Sequence, residues 1–212
     1  MSDRAHELAL AEAFARAPNG RPTRRLPVVR VRTGDAHAAT DLVAAEEPLE
    51  IRLDSAPVAV TMRTPAPEED AELAVGFLAG EAIVAVADIA RVVECRAEAG
   101  EGGAVDVRLR PGTTPAPGWQ RSFYATSSCG ICGKASIDAV RVAVDRLPGG
   151  PLMSAGAIEA LPHALRSAQR VFERTGGLHA AGLFTLAGEP VVVREDVGPP
   201  QRGRQGGWPS RA

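Results

Sequence analysis

Glu46-Glu47-Pro48-Leu49-Glu50-Ile51-Arg52-Leu53-Asp54-Ser55-Ala56-Pro57-Val58-Ala59-Val60-Thr61-Met62 reads as a β-hairpin. Leu49, Ile51 and Leu53 alternate with charged residues, and Val58, Val60 and Met62 alternate again beyond an Asp54-Ser55-Ala56-Pro57 turn. A sheet patterned apolar on one face needs a cover. The next stretch supplies one: Thr64 is placed to cap a helix, Pro65 and Pro67 suit its start, and Glu68, Glu69 and Asp70 favour its first turn. Leu73, Phe77, Leu78 and Ile83 then form an apolar stripe. Arg63 stands out as a cation at the end of the second strand.

Beyond this unit, Arg91–Ala97 and Val105–Arg110 read as two strands around an Ala-Gly-Glu-Gly-Gly turn. Cys95, in the first of them, reads as a buried thiol, because free cysteine is among the most buried residue types. Pro111-Gly-Thr-Thr-Pro-Ala-Pro-Gly118 is linker-like and marks a domain boundary. Upstream, residues 1–26 read as a mobile tail, with a first strand from Pro27 to Thr33. Downstream, a strand-like Ser122–Thr126 leads into Ser127-Ser128-Cys129-Gly130-Ile131-Cys132-Gly133-Lys134, and a helical pattern begins at Ser136. Ala157 to Thr175 gives an amphipathic helix closed by Gly176-Gly177, with Pro162 near its start. Gly177–Phe184 enters a strand, Ala187-Gly188 turns it, and Val191-Val192-Val193 returns to Arg194-Glu195-Asp196.

The chain has 212 residues, 45% of them hydrophobic but only 4% aromatic, so Val, Ala and Leu carry most of the core. A net charge of −2 speaks against bulk nucleic-acid binding. Three cysteines make no disulfide framework and suit a reducing cytoplasm. The first 25 residues lack an apolar signal core, and Leu73–Ala90, interrupted by Glu81 and Asp88, is too polar to span a bilayer. Cytoplasmic location without a membrane anchor is the expectation.

The glycine-flanked Cys129–Cys132 pair carries the chemistry. A loop feeding a helix start stabilises a thiolate, and such settings lower a thiol pKa from roughly 8.5 to about 3.5–7.5. Lys134 adds a nearby positive charge. Structural zinc needs four ligands, and His6, His37, His163 and His179 lack the paired spacing, so no metal site is expected. A thioredoxin-like dithiol would follow a βαβ pattern that is missing, and a zinc deaminase would carry H-x-E and then P-C-x-x-C, whereas Ser128 stands at that proline position. His179, at a strand start behind two glycines, is a second candidate. Glu195 and Asp196, at a strand end, could hold a cation, a ligand or a helix N-terminus.

EEPLEIRLD (46–54), TMRTP (61–65), ELAVGFLAGE (72–81), SSCGICGKASI (127–137), RTGGLHAAGLF (174–184) and VREDVG (193–198) together resemble the FdhD family, the formate dehydrogenase accessory sulfur carriers. The resemblance implies a cytoplasmic carrier that takes sulfur from a cysteine desulfurase as a persulfide. It passes that sulfur to the molybdenum cofactor, a bis(molybdopterin guanine dinucleotide), for insertion into apo-formate dehydrogenase. The cofactor is a client and no tightly bound group is expected. Cys129 would hold the persulfide and Cys132 assist, and Arg63, His179, Glu195 and Asp196 are candidates for contact with the cofactor. Homodimerisation is left open. The implied fold is α+β / α/β: a small α+β domain over 27–112, then an incomplete cytidine-deaminase-like three-layer α/β domain over 113–198.

After Gly198 the family continues Arg-His-Asn-Ala-Val-Asp-Lys, whereas this chain reads Pro199-Pro-Gln-Arg-Gly-Arg-Gln-Gly-Gly-Trp-Pro-Ser-Arg-Ala212. Deleting a single C from one permitted coding of Gly198–Gly207 restores Gly-Arg-His-Asn-Ala-Val-Asp-Lys-Val. Residues 199–212 are therefore expected to be an out-of-frame, disordered tail that replaces most of the family's cofactor-binding segment. The rivals are a thiol–disulfide oxidoreductase using the same cysteines, an adaptor that escorts the cofactor with the thiols holding a metal between two copies, and a non-functional truncated product.

Overall fold

A computed structural model describes residues 22–96, 103–117, 119, 123–124, 149–150 and 152–197. The predicted hairpin is present as β3 (Pro48–Leu53) and β4 (Ala56–Met62). Its turn is tighter than expected. Asp54 and Ser55 alone make it, both at positive φ (47° and 70°), as a two-residue hairpin turn demands. Neither is glycine, and polar bonds hold the bend. The Ser55 N–H donates to Asp106 Oδ1 at 3.0 Å, and the Leu109 N–H donates to Asp54 Oδ1 at 3.1 Å. The short turn and a register shift between Ile51 and Arg52 place Ala59 opposite Ile51 and Thr61 opposite Leu49. Ala59 and Thr61 therefore face the core, while Val60 and Met62 are exposed, the reverse of the sequence expectation.

Among the described residues the sheet has five strands in the order β5-β6-β3-β4-β7, with β5 at Ile89–Arg96, β6 at Gly103–Leu109 and β7 at Phe123–Tyr124. β5 and β6 form the expected antiparallel pair, and β6 runs parallel to β3. β7 adds in parallel to β4. The boundary expected at 112/113 thus does not end the first sheet. Nor does the proline-rich stretch swing free: the Ala116 N–H donates to the Ile83 carbonyl at 2.9 Å, and Trp119 packs on the core. Cys95 lies half-buried on edge strand β5 instead of deep inside.

Helix α1 (Asp70–Gly80) covers the sheet and follows a 3-10 turn at Pro67–Glu69. Leu73, Ala74, Phe77, Leu78, Ile83 and Val84 pack on Leu49, Ile51, Leu53, Val105 and Val107 in one core. Each fully buried aliphatic side chain contributes about 1.5–3 kcal/mol. Thr64 does not cap α1, because the 3-10 turn intervenes; Glu69 occupies the cap position without a side-chain bond.

Before this unit, β1 (Thr23–Arg32) pairs antiparallel with β2 (Asp35–Ala44) as a separate two-stranded ribbon. Among the described residues strand structure begins at Thr23, inside the stretch read as tail. Pro27 is tolerated because a two-stranded ribbon leaves an outer edge that needs no donor. The outer half of β1 is exposed, Val31 to 70%.

In the last part, α2 (Ala155–Ala168) is capped by Ser154 Oγ, which accepts from the Ala157 N–H at 3.2 Å. Gln169 breaks the expected single helix, and α3 (Arg170–Thr175) follows, closed by Gly176 at φ 67°. Because α2 starts earlier than expected, Pro162 lies mid-helix. β8 (His179–Phe184) and β9 (Pro190–Asp196) make a two-stranded hairpin against these helices. Gly182 leaves room there for Phe184, whose ring would lie 2.6 Å from an added Cβ. Leu183, Leu186, Val191 and Ile158 remain exposed. The chain is an α+β protein. Its described residues after 113 do not by themselves make the three-layer arrangement expected.

Candidate functional site

Cys129, Cys132 and the helix expected from Ser136 lie outside the described residues, as do residues 199–212. The other four candidates are placed: Arg63 beside the start of α1, and His179, Glu195 and Asp196 on the β8–β9 hairpin.

In the first cluster, β4 ends at Met62 and delivers Arg63 to the N-terminal end of α1. Arg63 Nε donates to Asp70 Oδ2 at 2.5 Å, and Nη1 donates to Glu47 Oε2 at 3.3 Å. Asp70 is fully buried. It also accepts from the Thr64 N–H and the Thr64 hydroxyl, each at 2.9 Å, with the Ala66 carbonyl as a competing acceptor for that hydroxyl. Burial alone would lower the Arg63 pKa, but Asp70 and Glu47 outweigh it and raise it. The guanidinium lies over β6: a Cβ added at Gly103 would sit 3.2 Å from Arg63 Nη2. Arg63 is thus a mostly buried cation between two carboxylates.

The second cluster is built on β9. Glu195 Oε2 accepts from the Val171 N–H at 2.8 Å and Oε1 from the Phe172 N–H at 2.7 Å. Its carboxylate caps α3 in two-pronged fashion, so the helix-terminus reading of the sequence is the one the structure adopts. Asp196 is fully buried and accepts from the Val197 N–H at 2.6 Å. His179 stands directly across the hairpin from Asp196 and is exposed. Of the four, His179 is the side chain open to an incoming molecule.

Sequence reasoning missed Arg194. Its Nε donates to Glu72 Oε2 at 2.9 Å and its Nη2 to Glu72 Oε1 at 3.0 Å, a two-pronged bond across 122 residues. Nε also lies 3.4 Å from Glu69 Oε1, and Nη1 donates to the Val193 carbonyl at 3.0 Å. The hydrogen bond to Glu72 raises the Arg194 pKa against the opposing effect of burial, with Glu69 adding to it. Burial pushes the Glu69 carboxyl up, Arg194 opposes this, and Glu72, Glu68 and Glu195 reinforce it. The available signal was a lone cation closing a valine run, matched by the acidic run Glu68-Glu69-Asp70-Ala71-Glu72.

Among the described residues no group of three or more His, Cys, Asp or Glu is disposed to hold a metal ion, and no helix is long and apolar enough to cross a membrane.

Comparison with known proteins places this arrangement. The chain is 48% identical over 189 residues to the sulfur carrier protein FdhD of Streptomyces avermitilis, covering 84% of this chain and 66% of that protein. Its likeness to the protein of the same name from Mycolicibacterium paratuberculosis is 46% over 184 residues, covering 83% and 67%. The chain thus spans about two thirds of the length of the curated relatives it matches. A crystal structure from Desulfotalea psychrophila, of a protein provisionally described as a formate dehydrogenase accessory protein, superposes with a TM-score of 0.63 at 18% identity. That likeness, over 87% of this chain and 67% of the other, concerns the fold. Residues 44–199 match the model of the FdhD/NarQ family, to which the chain therefore belongs.

Proposed function

We propose that this chain is the greater part of a sulfur carrier serving formate dehydrogenase maturation. The observation that carries the reading is the family match over 44–199, which encloses the Cys129-Gly-Ile-Cys132 pair. A thiolate at Cys129 attacks the outer sulfur of a persulfide on a cysteine desulfurase. The donor's S–S bond breaks, the donor thiolate leaves, and a Cys129 persulfide forms with no net redox change. Delivery needs two electrons. If the Cys132 thiolate attacks Cys129 Sγ, the terminal sulfur leaves as sulfide, and a Cys129–Cys132 disulfide holds the balance until a cellular thiol reduces it. The sulfide then goes to the molybdenum cofactor, which is cargo here. Among the placed candidates, exposed His179 is the group this reading assigns to contact with the cofactor.

The test is intact mass after incubation with a cysteine desulfurase and cysteine, beside Cys129→Ala. The expected result is a gain of one sulfur, reversed by reductant and missing in the variant. Folded protein that gains none, while cycling reversibly between dithiol and disulfide, would overturn this reading in favour of a thiol–disulfide oxidoreductase.

A further inference from the structure

Two arginines from distant parts of the chain grip neighbouring residues at the start of α1. Arg63, after β4, holds Asp70, and Arg194, on β9, holds Glu69 and Glu72. Three acidic side chains in one short segment, Glu69, Asp70 and Glu72, thus connect the five-stranded sheet with the β8–β9 hairpin. The two bonds differ in kind. The Arg63–Asp70 pair is sequestered from solvent and links elements close in sequence, whereas Arg194 is a planar fork on a partly open carboxylate 122 residues away. A two-pronged fork fixes direction as well as distance, which a point charge cannot. Arg194 lies opposite Ala181, two residues along each strand from the His179–Asp196 pair. Residues two apart on a strand share a face, so the fork and the imidazole leave the hairpin on the same side.

We propose that Arg194 is a positioning residue: its fork on Glu72 sets how the His179 end of the hairpin is seated against α1. The consequence for sulfur delivery rests on the carrier reading above, but the joint itself does not, and the experiment separates them.

Amide hydrogen exchange of 178–197 is measured by mass spectrometry in the full chain and in Arg194→Ala, Glu72→Ala, the double variant and Arg194→Lys. The rate of His179 carbethoxylation relative to His163 is measured alongside. Each alanine variant is expected to speed exchange in β8–β9 by about tenfold, and the double variant by no more than Arg194→Ala alone, because Arg194 is a party to every bond removed. Arg194→Lys, which keeps the charge and loses the fork, falls between. His179 reactivity shifts in the alanine variants while that of His163 does not. Exchange unchanged in Arg194→Ala, additive losses in the double variant, or His179 and His163 shifting together would each overturn the proposal. Persulfide loading is read on the same samples. A wild-type chain that fails to load sulfur removes the carrier reading and leaves the exchange result to judge the joint alone.

Discussion

Asp70 accepts the Arg63 Nε–H at 2.5 Å while no part of its own side chain reaches solvent. A carboxylate in that position is stable because both of its oxygens are met, Oδ2 by Arg63 and Oδ1 by two donors on Thr64. Removing Asp70 leaves Arg63 with Glu47 alone and the Thr64 N–H without its acceptor. Asp70→Ala is expected to destabilise the chain by about 3–5 kcal/mol, the usual cost of breaking a buried ion pair. Urea unfolding followed by circular dichroism measures it. A loss below about 1 kcal/mol would mean the pair behaves like a surface salt bridge.

Gly103 meets the same pair from the opposite side. An added Cβ would stand 3.2 Å from Arg63 Nη2, tighter than ordinary van der Waals contact. A free arginine end would swing away, but this one is held by Asp70 and Glu47. Gly103→Ala is therefore expected to cost about 1 kcal/mol in the wild-type background and close to nothing when Arg63 is already alanine. Equal costs in both backgrounds would show that the crowding comes from elsewhere.

Glu195 gives a prediction of a different kind, because the sequence leaves a cation, a ligand or a helix N-terminus open and the structure gives both oxygens to N–H groups in the first turn of α3. Glu195→Gln keeps one acceptor and loses the charge at the helix start. A loss of about 1–2 kcal/mol is expected, with faster amide exchange at Val171 and Phe172 ahead of the rest of the chain. Unchanged protection at those two amides would remove the capping role.

What the sequence revealed of this fold tracks how local the deciding force is. Leu49, Ile51 and Leu53 alternate strictly and face one core, so β3 was legible, and so was the apolar cover of α1. Val60 and Met62 face away from the core because a two-residue turn and a register shift beside Ile51 decide the pairing, and neither shows as a pattern of hydrophobicity. β2 escaped notice: Asp35-Ala-His-Ala-Ala-Thr-Asp41 has little strand propensity and is extended because β1 pairs with it. Gln169 breaks a helix whose apolar spacing runs straight through it. At the site, Arg63 drew attention as a cation at a strand end. Arg194 did not, since its partner Glu72 is 122 residues away and only the fold introduces them. The cysteine pair lies outside the described residues, so its reading rests on spacing and on the family resemblance.

Glu69 carries the pH dependence. Burial holds its carboxyl above the ordinary value of 4.5, Arg194 pulls the other way without reversing the shift, and Glu72, Glu68 and Glu195 add to it. The folded chain therefore binds this proton more tightly than the unfolded chain does. The resulting stability is fully present below the ordinary carboxylate value and is lost as pH rises through the higher folded value. Glu69→Gln, uncharged at every pH, should flatten that decline while the Arg194–Glu72 fork stays in place. The check is urea unfolding of both proteins at several pH values between about 4 and 8. The stability of Glu69→Gln relative to wild type should rise with pH across the lower part of that range and then level off. A relative stability that falls with pH would mean the ionised carboxylate is favoured in the folded chain, with Arg194 and not burial setting the balance at Glu69.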